Sequence, residues 1–154
     1  MARNDQRSIP VVLLAIAAVL LAGRVALYFT REAPSSHVAW VSIEEGVELA
    51  RATGMPVLFD FTADWCAPCH QLDREVFADP VLAAEINRRF VPIRVTDRQK
   101  EDGSNPPLVT ELQRRYGVNG FPTLIFANAG GSELGRMEGF GGRRQFERVM
   151  EQLR

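Results

Sequence analysis

The stretch Phe59-Asp-Phe-Thr-Ala-Asp-Trp-Cys-Ala-Pro-Cys-His70 decides how the rest of this chain is read. Its first half closes a continuous apolar run, Met55-Pro-Val-Leu-Phe-Asp-Phe61, in the style of a central strand buried on both faces. One carboxylate, Asp60, interrupts that run. A helix is predicted from about Cys66, with Leu72, Val76 and Phe77 turned inward. Three-residue spacing of the cysteines suits a reversible disulfide across the first turn of such a helix. At a strand-to-helix junction Cys66 lies near the helix N-terminus, where unpaired backbone amides and the macrodipole favour a thiolate. Cys69, one turn later, faces inward and can resolve a mixed disulfide. Pro68 falls in the first turn, where a missing backbone donor costs little.

Working outward, Asp79-Pro80 is an N-cap followed by proline at the first helical position, so a second helix runs to about Phe90. Val91 to Thr96 is a further strand. Asp97 to Pro107 (DRQKEDGSNPP) is polar, charged and rich in breakers, hence an exposed loop. Leu108 to Tyr116 forms a helix stopped by Gly117, Pro122 to Ala127 a strand, and Asn128 to Gly131 a turn into a strand through Met137. Gly141-Gly142 precedes a last amphipathic helix with Phe146, Val149, Met150 and Leu153 on one side. Upstream, Val38 to Val41 is a short strand candidate, and Ser42-Ile-Glu-Glu45 has the capping-box pattern of a helix that Gly54 ends. The order is β-α-β-α-β-α-β-β-α, an α/β sandwich around a mixed central sheet flanked by helices.

The first 31 residues are built differently. They hold four arginines (Arg3, Arg7, Arg24, Arg31) against Asp5, a net of +3; the remaining 14 basic and 18 acidic residues leave −4 on residues 32–154. Residues 1–8 form a basic, cytoplasmic n-region. Residues 9–29 are apolar apart from Arg24, and a helix of that length, at ~1.5 Å per residue, crosses a hydrocarbon core of ~30 Å. Arg24 can snorkel, and Tyr28 and Phe29 stand where interfacial aromatics belong. Basic residues ahead of the span place the C-terminal domain outside the cytoplasm. Residues 30–37 are a polar linker, and residues 38–154 the domain. The competing reading is a cleaved signal peptide leaving a soluble periplasmic protein. Cuts after Ala22, Gly23 or Ala26 put Leu20, Leu21 or Arg24 at a position that wants a small residue.

Composition removes other classes. In 154 residues, 46% hydrophobic and 24% charged, there is room for one domain and an appendage, and no case for wholesale disorder. Two cysteines cannot staple a mini-protein or build a four-cysteine metal site. A net charge of −1 argues against nucleic acid as a partner.

On the stretch quoted above together with Gly120-Phe-Pro-Thr123, residues from about Val38 to Leu153 resemble the thioredoxin superfamily. They look most like the C-terminal thioredoxin-like domain of the DsbD-type thiol:disulfide interchange proteins. Ala63-Asp64-Trp65, Phe77-Ala-Asp-Pro80 and Glu138-Gly-Phe140 carry that closer likeness. The multi-span domain of that family has no counterpart in this sequence, and the Asp97–Pro107 loop looks longer than the family's. The resemblance implies a thioredoxin fold and a thiol:disulfide oxidoreductase, with Cys66 as nucleophile and Cys69 as resolving thiol of a redox-active disulfide. Asp60 matches the family's buried carboxylate, whose raised pKa would let it take and return the Cys69 proton. Pro122 matches the family's cis-proline, which binds substrate backbone. Read from the residues alone, Trp65 packs at the rim of the substrate site, Phe121 is either plain core or a substrate contact beside Pro122, and His70 is an exposed helix residue whose charged form would favour the Cys66 thiolate. The expected direction is reductive, towards disulfide-bearing exported proteins, with a thiol electron donor in the membrane. The expected place is the bacterial inner membrane, single-pass, with the domain in the periplasm.

Other readings stay open at this point. A disulfide-forming oxidant has the same fold and motif. A binding module could dock partners without turnover. Zinc would need two ligands beyond the cysteines, from His37 and His70. Cys66-Ala-Pro-Cys-His70 also fits covalent c-type haem attachment, with Met137 or Met150 as an axial ligand, but haem leaves Asp60, Trp65 and Gly120-Phe-Pro-Thr123 unexplained. No metal and no cofactor are expected.

Overall fold

The computed structural model describes residues 16, 19 and 36–153, and the chain divides into two units, Met1–Ser35 and Ser36–Arg154. In the first unit Ile16 and Val19 are helical. The expected n-region, the rest of the expected 9–29 anchor and most of the linker lie outside the described residues. Among the described residues no helix is long and apolar enough to cross a membrane.

The second unit is a four-stranded mixed sheet in the order β2-β1-β3-β4. Strand β1 (Val57–Ala63) runs parallel to β2 (Val91–Asp97) and antiparallel to β3 (Thr123–Ala127), which pairs antiparallel with β4 (Glu133–Glu138). The central position of β1 explains its composition: all seven residues are buried. Successive side chains serve opposite faces. Leu58 joins Leu72, Val76, Phe77, Ile86, Leu124, Phe126 and Phe146 in one core layer. Phe59 and Phe61 join Ile93, Val95, Leu112, Tyr116 and Ile125 in the other.

Helix α1 (Ile43–Thr53) starts where the Ser42 hydroxyl accepts the Glu45 N–H and stops where Gly54 turns left-handed at φ 73°. Helix α2 (Ala67–Leu72) is capped by Cys66 and runs into a π-helical turn, Asp73–Phe77. Helix α3 (Pro80–Arg89) is capped by Asp79, whose Oδ1 accepts from Val81 and Leu82 N–H. A one-turn helix α4 (Gln99–Asp102), α5 (Pro107–Tyr116) and α6 (Arg143–Gln152) complete the unit.

Two expectations are corrected. Val38–Val41 is not a strand: it reduces to one parallel bridge, Val41 to Ile93. Val41 N–H reaches Pro92 O at 3.0 Å, but the next rung would need an N–H that Pro92 lacks. Ala39 N–H turns instead to Asn87 Oδ1. The segment Asp97–Pro107 is not irregular throughout, because it contains α4. It is organised by the buried Asp97 carboxylate, which accepts from Gln99 N–H and from the Asn105 and Gln113 side-chain amides. Burial works against that charge, yet the Gln113 and Asn105 amides outweigh it and hold Asp97 below the usual carboxylate range.

Candidate active site

Cys66 is the N-cap residue of α2, extended at φ −84° and ψ 100°, at the point where the chain leaves β1 and turns into a helix. It is bonded to Cys69 as a disulfide, the Cα atoms 5.2 Å apart. Cys66 Sγ also accepts the Cys69 N–H at 3.2 Å, so a sulfur occupies the capping place that an oxygen usually fills. Both cysteines are buried and pack with Ala63, the last residue of β1, and with the half-buried Phe121.

The loop ahead of β3 supplies the facing wall. The Phe121–Pro122 peptide bond is cis. Thr123, next in line, pairs with Phe61 on β1 and donates its hydroxyl to Gly120 O at 2.8 Å, while Pro122 O accepts from Gly139 N–H at 2.8 Å. This pairing brings a loop more than fifty residues away in sequence back to the end of β1 that carries the cysteines. Trp65 is 47% exposed, its ring centroid 5.9 Å from that of Phe121 in an edge-to-face contact. His70 is exposed; its Nε2 donates to Asp64 O at 2.8 Å, which fixes the proton on that nitrogen.

Asp60 lies in the middle of β1, 1% exposed. Its Oδ2 accepts from Arg94 Nε at 3.0 Å, and its Oδ1 has no hydrogen-bond partner. Burial pushes its pKa up to about 7, against the pull of Arg94 and with help from the nearby Asp73 charge. The reading of the sequence missed Arg94 and Asp73. Arg94 Nη2 donates to Asp73 Oδ1 at 2.5 Å, so one guanidinium bridges two carboxylates. The available signal was an arginine inside the otherwise apolar strand Val91–Val95; only the β1–β2 register, Asp60 opposite Arg94, turns it into a pair. It also missed the charged edge of the site. Lys100 of α4 stands over the Trp65 ring, 3.4 Å from its centroid, and Arg98 Nη1 reaches Asp64 Oδ2 at 3.0 Å.

Among the described residues no group of three or more His, Cys, Asp or Glu is arranged to hold a metal ion. Met137 of β4 and Met150 of α6 are both buried in the same core layer.

The family model described as a thioredoxin-like domain matches residues 43–154. Over 121 residues the chain is 31% identical to the thiol:disulfide interchange protein DsbD of Vibrio vulnificus, an alignment covering 72% of this chain and 19% of that protein. Over 106 residues it is 36% identical to DsbD 2 of Pseudomonas aeruginosa, covering 64% and 17%. The chain thus spans about a fifth of the length of the curated relatives it matches. Among solved structures, an oxidoreductase named DsbH is similar with a TM-score of 0.64 at 27% identity, covering 80% of this chain and 90% of that one.

Proposed function

This chain belongs to the thioredoxin-like family, and from that premise we propose that it is a membrane-tethered oxidoreductase that reduces disulfides of exported proteins. The observation that carries the reading is the Cys66–Cys69 disulfide at the N-terminus of α2, with the Cys69 N–H on Cys66 Sγ. In the dithiol form the same N–H and the dipole of the helix that starts there favour Cys66 as thiolate.

The Cys66 thiolate attacks one sulfur of a partner disulfide, forming a mixed disulfide and releasing the partner's other sulfur as a thiolate. Asp60 accepts the proton of Cys69, whose sulfur then attacks Cys66 Sγ. That step breaks the mixed disulfide, releases the partner's second sulfur as a thiolate and closes the Cys66–Cys69 bond; two electrons have passed to the partner, whose thiolates take one proton back from Asp60 and one from water. A pKa of about 7 suits Asp60 to both halves of this proton transfer near neutrality. Trp65 and Phe121 form the apolar rim on which the partner chain rests, Pro122 contacts its backbone, and His70 steadies the turn that carries Trp65. A thiol donor in the membrane returns two electrons to the disulfide. The basic, apolar character of residues 1–29 supports a single-pass anchor in a bacterial inner membrane with the domain on the periplasmic side.

Replacing Cys69 by Ser removes the resolving thiol. Mixed disulfides through Cys66 are expected to accumulate on non-reducing gels and to vanish in the Cys66→Ser, Cys69→Ser double variant. Absence of any Cys66-dependent adduct overturns the enzymatic reading.

A further inference from the structure

Arg94, half-buried on β2, lies between two anions and two rings. Besides its bonds to Asp60 and Asp73, its Cζ lies 4.4 Å from the ring centroid of Trp40 and 5.5 Å from that of Phe77. Trp40 and Phe77 meet edge-on at 4.9 Å. Trp40 is itself fixed, since its Nε1 donates to Ser36 Oγ at 3.0 Å. The backbone on either side is tied down as well: His37 N–H to Phe77 O, Ala39 N–H to Asn87 Oδ1 and Val41 N–H to Pro92 O, each within 3.0 Å. Asn87 Nδ2 returns a bond to His37 O. This strap, residues 36–41, precedes the residues 43–154 that match the family model.

We propose that Trp40 is a positioning residue for thiol–disulfide exchange: its ring pins the Arg94 guanidinium against Asp60, so that the segment ahead of the family domain completes the acid–cation pair. The proposal rests on the oxidoreductase reading above. A long arginine side chain has many rotamers; its two in-plane hydrogen bonds fix where the guanidinium edge points but leave it free to tip about the line joining Asp60 and Asp73. A π face laid on the guanidinium resists that tipping and covers one side of a half-buried cation whose partner Asp60 is buried. The charged groups facing Asp60 are Arg94 from β2 and Asp73 from the π-helical turn; the strap brings His37, which is exposed.

The test follows the Asp60 carboxyl carbon by NMR against pH in the oxidised full chain in detergent, with Asp60→Asn to identify the signal. Trp40→Leu keeps apolar cover but removes the π face, so Arg94 loosens and burial acts on Asp60 less opposed. Its titration midpoint is expected to rise by about half a pH unit or more, while Trp40→Phe stays near the wild type. The pH profile of disulfide reduction moves in the same direction. Should Trp40→Leu fail to fold, Ser36→Ala, which frees the indole N–H and the Val38 N–H that Ser36 Oγ also accepts but leaves the ring in place, is expected to give a smaller rise. A midpoint that is unchanged or lower in the folded variant overturns the proposal, even where thermal stability falls. Because the titration needs no turnover, its failure is distinguishable from the absence of Cys66 adducts, which would overturn the oxidoreductase reading instead.

Discussion

Asp60 occupies the centre of the sheet with one oxygen on Arg94 and the other unpartnered, an arrangement that a neutral carboxyl tolerates better than a carboxylate. The consequence for stability has a definite sign. Its pKa is about 7 in the fold against an ordinary 3.8, so between those values the native state holds a proton that the unfolded chain has released. Stability is therefore fully present below about pH 4, falls as pH rises through that window, and levels off above about 7. A shift of this size corresponds to at most about 4 kcal/mol at ~1.4 kcal/mol per unit. Asp60→Asn carries no such cost, and Arg94 keeps Asp73. Denaturant melts at pH 8 should show the variant more stable by about 2 kcal/mol or more, with the gain fading towards pH 4. Equal stabilities at both pH values would remove the buried charge from the account. The same variant should slow resolution of the mixed disulfide by on the order of 100-fold, since its amide cannot accept the Cys69 proton.

At the scale of elements, the close approach of α1 to the edge strand β2 rests on Gly46. A methyl group there would stand 2.4 Å from Ile93 Cγ1 and 2.9 Å from Val41 Cγ2. Alanine is the better helix former by ~1 kcal/mol, but forcing a methyl against a fully buried isoleucine costs ~1–3 kcal/mol, and the second effect wins. Gly46→Ala should lower the midpoint of chemical unfolding by an amount equivalent to about 1 kcal/mol; a gain in stability would show that α1 can retreat from the sheet. Elements whose signals are local were legible: the Ser42 cap and Gly54 stop of α1, the Asp79-Pro80 start of α3, and the apolar run of β1. Val38–Val41 was misread because its fate depends on a missing N–H in a different segment, at Pro92. The Asp97 network was misread for a related reason. Its partners Asn105 and Gln113 look like loop and helix-surface residues until the fold turns them onto one carboxylate. The π-helical turn places Asp73 beside Arg94, and no periodicity in the sequence announces it.

Across the whole chain, the cysteine chemistry and the proposed location draw on different stretches of sequence. The cysteine pair and the Gly120–Thr123 loop were legible because each is a contiguous motif. Arg94, Asp73 and Trp40 were not, because they meet only after β2 is laid beside β1 and the strap is drawn across Phe77. The proposed location rests on residues 1–31, where a net of +3 accompanies an apolar run, against −4 over the remainder. A stretch of 21 residues with one arginine near its end can span a bilayer, whereas a peripheral association through four arginines would be electrostatic and screened by salt. The two modes separate on extraction. Full-length chain expressed in bacteria should stay with the membrane pellet through high salt and alkaline carbonate, and enter solution only with detergent. A protease added outside the inner membrane should reach the domain if, as proposed, the basic flank keeps the N-terminus in the cytoplasm. Release by salt, or a soluble periplasmic species shortened at its N-terminus, would replace the anchor with surface binding or a cleaved signal, and would leave the dithiol chemistry of Cys66 and Cys69 to act on diffusing partners.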